Sequence, residues 1–203
     1  EPGSFNDFFA KLHGRLVRHR RRDRGGRRDM TVLRGGPFRF LDHFNAEDED
    51  FYFGREADVS AVVEKIHKKP LTVLFGTSGI GKTSLLRAGV FNALRKETEE
   101  ADTDEQRPWL VVYARVGDDP RVSIQQAIIA AVEETGFDTR QLAAAESCSA
   151  LISKVVERTG RRVVILLDQF AEYFVKLGAR VRRRSVIALK EALEHCPDDF
   201  RLL

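Results

Sequence analysis

Leu71 to Leu86 reads LTVLFGTSGIGKTSLL, and the fold turns on it. A short apolar run, Leu71 to Phe75, predicts a strand and passes into Gly76-Thr77-Ser78-Gly79-Ile80-Gly81-Lys82-Thr83. That octet satisfies G-x-x-x-x-G-K-[ST] at every fixed position. Glycines at those points let the backbone curl until successive N–H groups face inward and cradle phosphate oxygens. Leu85, Leu86, Val90 and Leu94 follow at helical spacing. The loop therefore opens a helix, whose unpaired N–H groups and dipole favour a bound anion. In this pattern Lys82 reaches the β- and γ-phosphates and the Thr83 hydroxyl ligates Mg²⁺. A strand before and a helix after leave little room for a chance Gly-rich turn. A bound nucleoside triphosphate is the expectation.

The 203 residues allow one domain, or one with an appendage. Charge is unevenly spread. Residues 1–36 hold ten Lys/Arg against four Asp/Glu, net +6, and the rest holds 24 against 27, net −3. Cys148 and Cys196 show no metal-ligand spacing and read as reduced thiols of a cytoplasmic protein. No apolar run approaches the ~18 residues of a membrane span, and no secretory signal is visible. The sequence opens on Glu1 and closes on Phe200-Arg201-Leu202-Leu203, which looks like the start of a strand, so a fragment of something longer is expected.

Ser4-Phe5-Asn6-Asp7 resembles a capping box, and Phe5, Phe8, Phe9, Leu12 and Leu16 predict an amphipathic helix. Arg18 to Arg28 follows, with seven arginines and two glycines. It reads either as a solvated linker, since like charges repel, or as a nucleic-acid contact through phosphate neutralisation. The run holds no aromatic residue for stacking, and the linker reading is favoured. After Phe51-Tyr52-Phe53-Gly54-Arg55-Glu56, a turn that either wraps a nucleotide base or merely packs, a helix is predicted to Lys69, stopped by Pro70.

Beyond the loop helix, Trp109 to Val116 predicts a second strand and Gly117-Asp118-Asp119-Pro120 a turn. Helices are expected over about Ser123 to Glu134 and Ser147 to Arg158. Arg162 to Asp168 is a third strand, with five apolar residues, Val163 to Leu167, ahead of its closing acid. In open α/β sheets ligands sit at the carboxyl ends of strands, so Asp168 is placed to hold Mg²⁺ opposite Thr83, or else to cap the helix that follows. Glu172 is the candidate general base for a water attacking the γ-phosphate, and its other reading is an exposed helix acid. The strand and helices inserted between loop and Asp168 suit the ATPase branch of these folds, where an extra strand separates the two motif strands. No N-K-x-D-type guanine motif occurs, which favours ATP over GTP.

FYFGRE at 51–56, GTSGIGKTSLLRAGVFNAL at 76–94, the Trp109 strand ending near GDDP, and VVILLDQFAEYF at 163–174 together resemble the bacterial STAND NTPases. The likeness is greatest to the novel STAND group, related to NACHT and NB-ARC ATPases. It runs from about Pro37 to the end, with Pro37-Phe38 and Phe40 fitting the group's lead-in loosely. The resemblance implies an α/β fold: a P-loop NTPase three-layer α/β/α domain with a mainly parallel sheet, incomplete within 37–203 and preceded by a helix and basic linker over 1–36. It implies an ATP/ADP switch that self-associates on activation and engages effector or sensor domains. Gly54 and Arg55 would contact the adenine. Gly76, Thr77, Ser78, Gly79, Ile80, Gly81, Lys82, Thr83 and Ser84 would form the phosphate site, and Asp168 would be the Mg²⁺ acid. One departure bears on hydrolysis: Ala171 stands where the family often has the first of two acids, while Glu172 keeps the second. Slow hydrolysis by a switch and a nucleotide-gated scaffold without turnover are both consistent with that pattern.

Overall fold

The computed structural model describes residues 42–101, 107–115, 117, 119–170, 175 and 177–203. The predicted N-terminal helix, the Arg-rich linker, Pro37 to Phe40, Ala171 and Glu172 lie outside the described residues.

Two strands form the centre of a parallel sheet. β1 (Trp109–Arg115) pairs with β2 (Arg162–Asp168) residue for residue, from Trp109 opposite Arg162 to Arg115 opposite Asp168. β3 (Phe200–Leu202) pairs on the other side of β2, giving the order β1-β2-β3. Alternate side chains leave opposite faces of each strand. Leu110, Val112, Ala114, Val163, Ile165, Leu167, Phe200 and Leu202 enter one core. Trp109, Val111, Val164, Leu166 and Leu203 enter a second core on the other face. Strands covered on both sides must be apolar throughout, which is why Val163 to Leu167 carries no polar residue.

Helices supply both outer layers. Against the first core lie α3 (Pro120–Glu134), α4 (Cys148–Thr159) and α5 (Ala179–His195). Against the second lie α1 (Glu56–Lys68) and α2, a continuous helix built from an α turn Lys82–Ser84, a π-helical stretch Leu85–Phe91 and an α segment Asn92–Glu100. The result is a three-layer α/β/α arrangement with a small parallel sheet, as expected.

Local chemistry sets most boundaries. α3 begins at Pro120, earlier than the predicted Ser123. The Asp119 side chain caps it by accepting from the Arg121 N–H at 2.9 Å, and Pro120 fills the first position, where its missing N–H costs nothing. Ser147 caps α4 through the Ala150 N–H at 3.1 Å, and Gly160 ends it in the left-handed region at φ 66°.

The predicted strand Leu71 to Phe75 is a correction. It contributes a single parallel bridge, Leu71 with Leu202, in which the Leu202 N–H donates to Pro70 O and the Thr72 N–H to Leu202 O, both at 2.9 Å. Leu71, Val73 and Phe75 are 49, 70 and 88% exposed. The bridge also shows which strand separates the two motifs in space: it is β3, while the inserted β1 lies on the far side of β2.

Candidate functional site

Because the Leu71 bridge is parallel, the chain leaves it towards the same sheet end at which β2 delivers Asp168. The loop 76–81 forms there. Gly79 and Gly81 take φ of 81° and 87°, values that only glycine adopts without strain. Gly81 is the residue ahead of α2, and the first helical bond is Leu85 N–H to Gly81 O at 2.9 Å. The N–H groups of Lys82, Thr83 and Ser84 precede that bond, as the leading amides of a helix do, and are the natural donors for an anion.

Lys82 folds back over the loop, its ammonium donating to Gly76 O and Thr77 O at 2.9 Å each. This places a cation at the loop mouth. Ser84 behaves differently from its neighbours: it is buried, and its hydroxyl accepts the Phe44 N–H at 3.1 Å. Its hydroxyl therefore serves the lead-in segment, leaving its backbone N–H for any anion.

The aromatic-Gly-Arg turn reaches the same place. Gly54 holds φ 85° and donates its N–H to Glu56 Oε2 at 2.9 Å. Arg55, ion-paired with Asp58, extends its guanidinium to the Ile80 carbonyl at 3.3 Å. The sequence left this turn either wrapping a base or merely packing; the structure puts Arg55 against the phosphate loop. Packing makes the approach possible. α1 presses on α2 at Gly89, where an added Cβ would sit 2.5 Å from Val59 Cγ2 and 3.2 Å from the Tyr52 ring.

Asp168 is only 5% exposed. Its Oδ1 accepts the Gln169 N–H at 2.8 Å, and its Oδ2 accepts the Tyr113 hydroxyl at 2.8 Å. Burial first, then the hydrogen bond to Asp168 and its charge, hold the Tyr113 phenol well above its ordinary range, so the phenol is the donor. Gln169 sits at φ 59°, unusual outside glycine, and its side chain accepts from Arg115 Nε at 2.7 Å. On the other side of Tyr113, the Arg87 guanidinium lies 4.9 Å from the ring centroid and bonds His43 Nε2 at 2.8 Å.

A left-handed glycine loop with its lysine, opening a helix at the carboxyl end of a parallel sheet whose inner strand ends in a buried carboxylate, is the frame of a P-loop NTPase. The family model described as Novel STAND NTPase 1 matches residues 37–202. The chain belongs to this family. No curated protein and no solved structure matches it.

Novel STAND NTPases use a nucleotide, and P-loop enzymes usually take Mg²⁺ with it. The residues here fit such an ion. Among the described residues no group of three or more His, Cys, Asp or Glu side chains converges on one point. One buried carboxylate and a helix-start hydroxyl are the donors Mg²⁺ takes when phosphates and waters complete its shell. No described helix is long and apolar enough to cross a membrane.

Tyr113, Arg87, His43 and Arg115 escaped the sequence reading. Tyr113 precedes the β1 terminus by two residues, and only the strand pairing carries its hydroxyl to Asp168, 55 residues away.

Proposed function

We propose that this domain is an ATP/ADP-dependent switch of a signalling protein, hydrolysing ATP slowly. The observation that carries the reading is the Lys82-bearing left-handed glycine loop opening at the sheet end where Asp168 is buried. In this reading the loop amides and Lys82 grip the phosphates, and Arg55 with the Gly54 turn closes over the base side. Thr83 and Asp168 hold Mg²⁺, which when bound neutralises charge on the β- and γ-phosphates. Glu172 serves as the general base that accepts a proton from the attacking water. Slow turnover suits a switch, whose signal lies in which nucleotide is bound.

One sequence feature favours a second reading. Ala171 replaces an acid the family often carries, which supports a scaffold that binds ATP and does not turn it over.

ATP binding and single-turnover hydrolysis, compared among the unchanged protein, Lys82→Ala and Glu172→Gln, test both. Loss of Lys82 should weaken binding at least tenfold, the scale of a charge-assisted hydrogen bond. Loss of Glu172 should slow turnover about 10²- to 10⁴-fold with binding retained. Tight binding without turnover in every version supports the scaffold, and a folded protein that binds no nucleotide refutes both readings.

A further inference from the structure

We propose that Tyr113 is a positioning residue for the metal-binding carboxylate of Asp168. The proposal rests on the nucleotide reading above and assigns a role to a residue outside its motifs.

A carboxylate that serves a metal must present a fixed lone pair, and outer-shell hydrogen bonds supply that orientation. Asp168 is gripped from both sides, by the Gln169 N–H on Oδ1 and by the Tyr113 hydroxyl on Oδ2, each at 2.8 Å. Two donors fix rotation of the carboxylate about its stem. They occupy two of its roughly four lone-pair positions, leaving the others for a water or an ion.

Tyr113 is itself held. Its ring packs among the α1–α2 core residues on one face of the sheet. Arg87 lies over it at 4.9 Å, and His43 bonds Arg87 at 2.8 Å. The path His43–Arg87–Tyr113–Asp168 thus joins the segment before Gly54 to the carboxylate. Register explains why the donor comes from β1. Tyr113 stands opposite Leu166, two residues short of the Arg115–Asp168 level, so a long side chain leaning along the strand direction spans the diagonal. A shorter hydroxyl on the same position lacks that reach.

Tyr113→Phe removes the hydroxyl and keeps the ring with its Arg87 contact. The test measures affinity for a non-hydrolysable ATP analogue, once with excess Mg²⁺ and once with EDTA, alongside melting temperature. The expected result is unchanged affinity in EDTA and about a tenfold loss of the strengthening that Mg²⁺ gives, the lower end for an outer-shell partner. Substituting Mn²⁺ and following its free signal by electron paramagnetic resonance should show the same loss directly. If the Phe protein does not fold, Tyr113→Met fills the site without a donor and serves the same comparison.

An unchanged Mg²⁺ effect overturns the proposal and leaves the nucleotide reading standing. Equal weakening with and without Mg²⁺ also overturns it, because that is the mark of a packing role. An unchanged protein that binds the analogue with no benefit from Mg²⁺ overturns the metal role of Asp168 and this proposal together. No binding by the unchanged protein overturns the nucleotide reading itself.

Discussion

Gly89→Ala tests the contact that brings Arg55 to the phosphate loop. A Cβ at residue 89 would lie 2.5 Å from Val59 Cγ2 and 3.2 Å from Tyr52 Cε1. Carbon atoms pack at about 3.5–4.0 Å, so the Val59 contact overlaps by about 1 Å. Val59 has little freedom to turn away, being β-branched and helical, and the Tyr52 ring is backed by Phe44 at a centroid distance of 5.7 Å. α1 and α2 must therefore separate. Overpacking of this kind costs about 1–3 kcal/mol, and alanine's better helix propensity returns up to about 1 kcal/mol. A net loss of about 1–2 kcal/mol is expected, or about 2–8 °C in Tm for a chain of this size. Urea denaturation followed by the fluorescence of Trp109 gives the number. Val59→Ala in the Gly89→Ala background should recover most of the loss, a coupling of about 1 kcal/mol. A Gly89→Ala protein at least as stable as the unchanged one would refute the clash.

Burial, and then neighbouring Cys196, push the Cys148 thiol up to about 11. Above the unfolded thiol's pKa of about 9 the unfolded state binds fewer protons, so this group's contribution, on the order of 2 kcal/mol, should fall away between about pH 9 and 11; a pH series against Cys148→Ala checks it, and identical curves refute it. Arg162→Ala removes a guanidinium 4.0 Å from the Trp109 centroid, so Trp109 emission should shift and stability drop by about 0.5–1 kcal/mol. An emission spectrum that does not move would contradict the stacking. Ser147→Ala deletes the α4 cap and should cost about 1 kcal/mol by urea melt, whereas a cost near zero would mean water replaces the cap.

What was legible in the sequence is what local chemistry fixes. The glycine spacing of residues 76–83 encodes a backbone shape, and the apolar run closed by Asp168 encodes a doubly covered strand, so loop and β2 were readable at once. Partners are another matter. Leu71 to Phe75 has strand composition, yet a strand exists only where a neighbour supplies hydrogen bonds, and of this run only Leu71 is bridged, to Leu202. Parallel strands have no tight turn to announce their pairing, so neither the position of β3 between β2 and Leu71 nor the reach of Tyr113 was available. The need for glycine at residue 89 lies in the Val59 contact, which spans 30 positions and leaves no local sign. Pro120 read as a turn because, without its cap, a first helical residue and a turn residue have the same composition.

The bridge between Leu71 and Leu202 also sets a schedule for synthesis. The segment entering the phosphate loop is made early, but its partner emerges about 130 residues later. At about 5–20 residues per second, the nascent chain carries Gly76 to Thr83 for on the order of ten seconds before that anchor exists. Until then Lys82 and its loop carbonyls belong to a chain without the Leu202 bridge.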